Sequence, residues 1–486
     1  MFTRYRIFRY ALGSFLIGVA VASLLPLGIF EAYVGMLGAM CIGVLGRNIL
    51  FLRITALCVG ISMLGILRVG ISAGERFFLP EHTPFAFAGT VIAEPTLRGY
   101  FQTASVDVIR EGESRGIMRI RLPMIPEVRV TDVVQGTCTT LLPEWRAPGG
   151  RLFPPLCTQS TTEIQFSSRP SFWRILADVR HSFQDVIDRG LSPPASDLLG
   201  GLLLGVQQTF SATLKEDFRR SGVSHIVAVS GFNITIIIAA LWSVFKRTPL
   251  GKRRSFWLLG GGVVLFVCLT GAAAATVRAA VMGLLVLFGE SRGRLSQSGH
   301  ALFIAAAAMV AWDPALLLFN VGFQLSIAAT AGLIGISPII EPYVRALPSW
   351  AGLKDIGIQT LSAFIATTPI ITGMFHTFSF VAIPANLLIV PLVPMTMAAG
   401  FVWGVAATVA HGWFIDLLAL PAVALLNAII ALAQFFSHLP FAQVSVSLSA
   451  PHSIAVVVGG YLLLGIVVMV AKRQLRLANQ EGTIAA

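Results

Sequence analysis

Residues 215–254, KEDFRRSGVSHIVAVSGFNITIIIAALWSVFKRTPLGKRR, decide how the rest of the chain is read. A charged, amphipathic lead-in with Lys215, Glu216, Asp217, Arg219 and Arg220 runs into roughly twenty apolar residues, the length that crosses a bilayer core. His225, Ser230, Gly231 and Asn233 fall in the first half of that span, where lipid offers polar atoms no partners. At about 100° per residue, Ser230 and Asn233 lie about 60° apart, on one helical face that must look at protein or water. Two readings fit such a face. It is a packing seam, because Ser and Gly let helices approach and Asn bonds across them, or it lines a pathway.

The composition agrees with a membrane setting. The 486 residues are 55% apolar and 12% charged, and a mean hydropathy of +0.80 excludes a soluble globular chain. The net charge of +12 sits largely in short clusters beside apolar spans, so the positive-inside rule explains it without nucleic acid. Arg4, Arg6 and Arg9 put the N-terminus in the cytoplasm, and Arg47 with Arg53 marks the loop after the second span as cytoplasmic too. Residues 1–74 are therefore expected to form three transmembrane helices, the first an uncleaved anchor despite the Ala20-x-Ala22 pattern of a signal peptide.

Residues 75–170 change character. Short alternating runs such as AGTVIAEP, TASVDVIR, GIMRIRLP and TTEIQFSS alternate with Gly, Pro and charged turns, which predicts a small extracytoplasmic β-domain. An OB-type barrel and a sandwich both suit about five strands. Cys138 and Cys157 fall here, an even pair on the oxidising side that either forms a disulfide or stays as two thiols. Cys41, Cys58 and Cys268 lie in apolar segments as small buried side chains. Arg119 and Arg121 share a strand face, with Tyr100 and Phe101 in a turn. That fits either a single-strand platform or a scaffold with a mixed solvated surface.

Residues 171–210 read as amphipathic or interfacial helices. Phe172, Leu176, Val179, Phe183 and Val186 recur at helical spacing among Arg174, Asp178, Arg180, Asp185 and Asp188. The DLLGGLLLGVQQ that follows is too short to span. Residues 211–476 form the main transmembrane domain. Lys246, Arg247, Lys252, Arg253 and Arg254 make its densest basic loop, cytoplasmic by charge. Arg278 lies deep in apolar sequence, where a charge costs at least a few kcal/mol unless an acid, water or an anion answers it. Asn320 and Gln324 are four apart and stack on one helical face, as do Thr368, Thr372 and His376 around Pro369. Pro384, Pro391 and Pro394 around Asn386 predict a broken or re-entrant helix lining a cavity. Lys472, Arg473 and Arg476 hold the end of the domain, and the tail 477–486, in the cytoplasm.

Three runs, GVSHIVAVSGFNI, LTGAAAATVRAAVM and DPALLLFNVGFQLSIAATAGL, resemble in content and order the ComEC competence proteins, bacterial inner-membrane channels for incoming DNA. The resemblance implies a polytopic α-helical membrane protein with broken helices, an OB-like insert after the first few helices, and a channel that passes single-stranded DNA into the cytoplasm. For such a channel, amide and hydroxyl stripes with a few arginines make a polar path, and Arg219, Arg220, His225, Ser230, Asn233, Arg278, Asn320, Gln324, His376 and Asn386 are the expected lining or gate residues. Its partners would be single-stranded DNA, the lipid bilayer, an extracytoplasmic DNA receptor, and a cytosolic ATPase with single-strand-binding proteins. Two positions depart from the family. Asn233 stands where relatives usually carry histidine, so no side chain there takes a positive charge near neutrality, and Ala272 to Ala275 replace a stretch that tends to hold Ser or Pro.

Many relatives continue into a metallo-β-lactamase-like domain. No H-x-H-x-D run occurs in this sequence, so neither nuclease chemistry nor a metal or other cofactor is expected. No G-x-x-x-x-G-K-[ST] loop occurs either, so motive force must come from elsewhere. The competing classes are a carrier of another polar or anionic envelope molecule, and an intramembrane hydrolase using Ser230 with His225 or His376. The hydrolase lacks a G-x-S-x-G setting and a paired acid.

Overall fold

The computed structural model describes residues 4–25, 27, 29–45, 49–74, 84–98, 101–110, 114–123, 125, 128–141, 156–165, 172–206, 210–227, 231–245, 252–271, 274–291, 298–344, 353–410, 412–446 and 449–480. The chain divides into two compact units, one of residues 1–179 with 303–320, the other of 180–302 with 321–486.

The first unit opens with α1 (Arg4–Leu24), α2 (Ile29–Leu45) and α3 (Leu50–Gly74). Glycines set their spacing: Gly18 of α1 lies on the Ser62 backbone of α3, and Gly65 of α3 lies on the Phe15 backbone, so any Cβ there would collide. Close backbone approach through small residues is how helices associate in lipid.

Five strands follow, β1 (Pro84–Arg98), β2 (Phe101–Arg110), β3 (Ser114–Pro123), β4 (Val133–Leu141) and β5 (Leu156–Gln165). They close into a barrel in the order β1-β2-β3-β5-β4, all neighbours antiparallel except β3 with β5. Irregularities in β1 at Val91/Ala93 and Ala93/Thr96 bend it enough to pair with both β2 and β4. Alternate residues point inward, so Val106, Val108, Met118, Ile120, Leu122, Val134 and Cys157 fill the core.

The first half of α4 (Phe172–Gly190) is fastened to the chain between β3 and β4. Arg174 reaches Asp132 at 3.3 Å and Arg129 reaches Asp178 at 3.1 Å.

In the second unit α5 (Ala195–Leu204) is buried along its whole length. It shares a core with α6 (Ala212–Arg220), α7 (Ser224–Val227) and three later helices. Next come α8 (Gly231–Phe245), α9 (Lys252–Leu269) and α10 (Ala274–Ser291), a three-helix group packed around Ile234, Val263, Val267, Ala279 and Ala280. Helix α11 (Ser298–Trp312) starts in this unit and ends in the first, where α12 (Ala315–Phe319) also lies. The remainder is α13 (Val321–Gly335), α14 (Ser337–Ile340), α15 (Leu353–Phe375), β6 (Thr377–Ser379), α16 (Ala382–Ile389), α17 (Leu392–Val409), α18 (Trp413–Ser437), β7 (Gln443–Ser445) and α19 (Ala450–Gln480).

Among the described residues, seven helices are long and apolar enough to cross a bilayer: Ile7–Leu24, Leu50–Ile71, Val321–Val344, Lys354–Phe375, Ala382–Val409, Trp413–Ser437 and Pro451–Leu475. The molecule is a polytopic helical membrane protein with a small inserted β-domain.

Gly222 at φ 76° ends α6, so the charged lead-in and the apolar run are separate elements; within the run the described residues are helical over α7 and over the 15 residues of α8, about 22 Å long. The Asn386 region is interrupted. α16 stops at Ile389 and α17 starts at Leu392, with Pro391 between them withholding a backbone donor.

Candidate functional site

One end of the second unit gathers five of the ten polar candidates. Strands β6 and β7 pair antiparallel through Thr377 with Ser445, Phe378 with Val444 and Ser379 with Gln443. Since β6 follows α15 and precedes α16, while β7 follows α18 and precedes α19, this ribbon ties four helix termini together. Helix α6 comes to the same place. The Ser379 hydroxyl donates to the Arg220 carbonyl at 2.9 Å, the Ser437 hydroxyl donates to Asp217 Oδ1 at 2.7 Å, and Gly222 sits against Ala382.

The candidates at this end differ in how they are satisfied. Arg219 is exposed and spends its guanidinium on Glu216, Nε at 2.7 Å and Nη2 at 2.6 Å. That hydrogen bond holds the Glu216 carboxyl below its ordinary value. Arg220 is half-buried, and His225 is exposed on α7. His376 departs from the expected Thr368–Thr372–His376 stripe. α15 ends at Phe375, and His376 takes φ 55° to turn the chain into β6, a left-handed geometry that His tolerates better than most residues. Its Nδ1 is buried with no hydrogen-bond partner. Thr368 turns its hydroxyl onto its own helix, at the Phe364 carbonyl. Asn386 is 7% exposed; its Nδ2 donates to Ala382 O at 2.7 Å while its Oδ1 has no partner.

Asn233 and Arg278 belong to the three-helix group. Asn233 is buried on α8, and its Nδ2 donates to the Leu202 carbonyl of α5 at 3.1 Å. Leu202 lies in the last turn of α5, where carbonyls lack helical partners, so Asn233 caps another helix. Helices α8 and α10 meet closely, Gly231 facing Ala279 and Gly283 facing Ile238. Arg278 on α10 is 5% exposed and its Nε has no partner; the Thr276 hydroxyl, fully buried one half-turn earlier, has none either.

The remaining candidates fall elsewhere. Asn320 does not stack above Gln324 on one helix. It stands extended at φ −111°, ψ 94° between Phe319, where α12 stops, and Val321, where α13 begins, so the i, i+4 rule does not apply. Gln324 is half-buried on α13. Ser230 and the Cys138 side chain lie outside the described residues. Cys157 is fully buried in the barrel core.

Some structurally important residues escaped the sequence reading. Arg68 of α3 donates from Nε to the Ala311 carbonyl at 2.6 Å and from Nη2 to the Trp312 carbonyl at 2.7 Å, capping the end of α11. A lone arginine inside an apolar span was signal enough to find it. Asp217 and Ser437 are far apart in sequence, and nothing in either position announces their pairing.

Membrane-spanning helices interrupted near polar groups, with a buried guanidinium whose Nε is unanswered, are features of a protein that handles a polar solute inside the bilayer. The competence protein family profile matches residues 202–474, more than half of the chain, and the chain belongs to that family. It is similar to ComE operon protein 3 of Bacillus subtilis (strain 168), 29% identical over 250 residues, covering 51% of this chain and 31% of that protein. It is also similar to Competence protein ComA of Neisseria gonorrhoeae, 28% identical over 233 residues, 44% of this chain and 33% of that protein. The matched part thus spans about a third of the length of these relatives. No solved structure matches.

Proposed function

We propose that this protein conducts single-stranded DNA across the bacterial inner membrane into the cytoplasm during natural transformation. The observation that carries the reading is Arg278, a nearly buried guanidinium on a helix of the competence-matching region, with its Nε lacking any hydrogen-bond partner. A buried cation so placed invites an anion, and passing phosphates supply one. Gln324, Asn386 and hydroxyls along the path replace hydration without clamping the strand, since tight phosphate sites would stall movement. No reaction is assigned to these residues; an ATPase on the cytosolic side, with single-strand-binding proteins, supplies direction, and an extracytoplasmic receptor delivers the DNA.

In this reading both termini are cytoplasmic and residues 75–170 are an extracytoplasmic OB-like domain. Its strand order and its single parallel pair support the OB assignment. Cys138 and Cys157 lie on the adjacent strands β4 and β5, and in this reading the oxidising compartment joins them in a disulfide. The test is uptake of labelled DNA by transforming cells carrying Arg278→Ala or Arg278→Lys, with the amount of protein in the membrane measured alongside. Loss with alanine and partial retention with lysine support a phosphate-facing cation; normal uptake with alanine overturns it. A carrier of another anionic envelope molecule would instead prefer lipid-linked glycans over single-stranded DNA in a competition assay.

A further inference from the structure

The ribbon β6–β7 has geometry that simple connection does not require. Tight turns would link α15 to α16 and α18 to α19, and strands of three residues are marginal on their own. Yet the chain enters each strand through a non-glycine residue at positive φ, His376 at 55° and Phe441 at 60°. Such strain persists only where surrounding structure enforces it, and it concentrates at working sites.

The two faces of the ribbon are chemically distinct, because directly opposed residues share a face. Phe378 and Val444 form the apolar face, with Phe378 edge-on to Phe364 at 5.5 Å and to Phe380 at 4.9 Å. Thr377, Ser379, Gln443 and Ser445 form the other, which turns toward α6 through the bond from Ser379 to the Arg220 carbonyl. Gln443 Oε1 on this face is buried without a hydrogen-bond partner, and so is His376 Nδ1 at the start of the ribbon. Unmet polar atoms of this kind are costly unless something bonds to them.

We propose that this polar face is a contact site for the base edges and sugars of a single-stranded nucleic acid, an inference that rests on the conducting role above. The face carries amide and hydroxyl groups and no cation of its own, and Arg219 of α6 is already held by Glu216. It therefore suits neutral donors and acceptors better than phosphate. Watson–Crick edges are free only in a single strand, so the face discriminates against duplex.

The test uses the full chain in phosphatidylethanolamine/phosphatidylglycerol nanodiscs, with the photocrosslinker p-benzoylphenylalanine placed singly at three positions. Ser445 samples the polar face, Val444 the apolar face, and Met282 lies one turn from Arg278. Each protein is irradiated with a labelled single-stranded oligonucleotide or with its duplex. The expected result is crosslinking at Ser445 that exceeds Val444 and favours the single strand over the duplex. Crosslinking at Met282 with Ser445 no better than Val444 removes the ribbon site and leaves the conducting reading standing. Silence at all three positions, with no uptake by cells, sinks both. In cells, Ser379→Ala combined with Gln443→Leu should lower uptake roughly tenfold at unchanged protein level; unaltered uptake overturns the proposal.

Discussion

Two parts of the second unit bury polar side chains among aliphatic ones and treat them in opposite ways. Around α5, α6 and α18 the polar groups are answered: Ser437 donates to Asp217, Ser221 to the Asp217 carbonyl, and Asn233 reaches in to the Leu202 carbonyl. In α10, Thr276 Oγ1 and Arg278 Nε are equally enclosed and unanswered. Satisfied groups hold a structure in one arrangement; unsatisfied ones wait for water or a ligand. The difference separates scaffold from working surface more sharply than residue type does, since Asn233 and Arg278 look alike as intramembrane polar residues in the sequence.

That contrast breaks most readily at Arg278. Arg278→Ala should cut DNA uptake by about 10–100-fold, the worth of a charge-assisted contact, without lowering thermal stability. A fall in melting temperature with uptake preserved would place Arg278 on the scaffold side instead. Ser437→Ala should behave in the opposite sense, lowering the stability of the detergent-solubilised protein by about 1–3 kcal/mol because Asp217 loses a buried donor. Thermal unfolding measures it, and transport per molecule should stay unchanged.

Asn233 sharpens the division further. Asn233→Asp puts an acceptor against the Leu202 carbonyl and should destabilise by about 1–2 kcal/mol, whereas Asn233→His keeps a ring N–H to donate and should cost less. Equal loss in both variants would show that the amide does not act as a cap. The smallest effect belongs to the exposed Glu216–Arg219 pair. Its carboxyl is held down in the folded protein, so its contribution is present at neutral pH and fades as pH falls through the lowered value. Glu216→Gln should change stability at pH 7 by no more than about 0.5 kcal/mol, and the difference from the parent should vanish in strong acid.

How far the sequence could be read followed the range of the interactions involved. Apolar runs reported the spanning helices, and the alternating runs of residues 84–165 reported the strands, because both signals are local. The proline-punctuated stretch around Asn386 was legible for the same reason. Helix breaks without proline were harder. Nothing near Asn320 forbids a continuous helix, and the extended turn there defeats a spacing argument that is sound within one. Strands of three residues in TFS and QVS are too short to show a period, so the ribbon was invisible. The Asn233 cap needs a partner 31 residues away, which spacing cannot supply.

Helix α5 has a consequence for how the protein is made. Its ten residues are wholly enclosed, with Leu199 lodged on Gly400 of α17, yet they leave the ribosome nearly 200 residues before that glycine. At about 5–20 residues per second the delay is roughly 10–40 s. Throughout that interval a greasy segment too short to anchor itself must be sheltered by the insertion machinery or by lipid headgroups. Assembly of the second half is thus a docking event around a waiting peg, and a stall in synthesis before α17 would leave that peg bare.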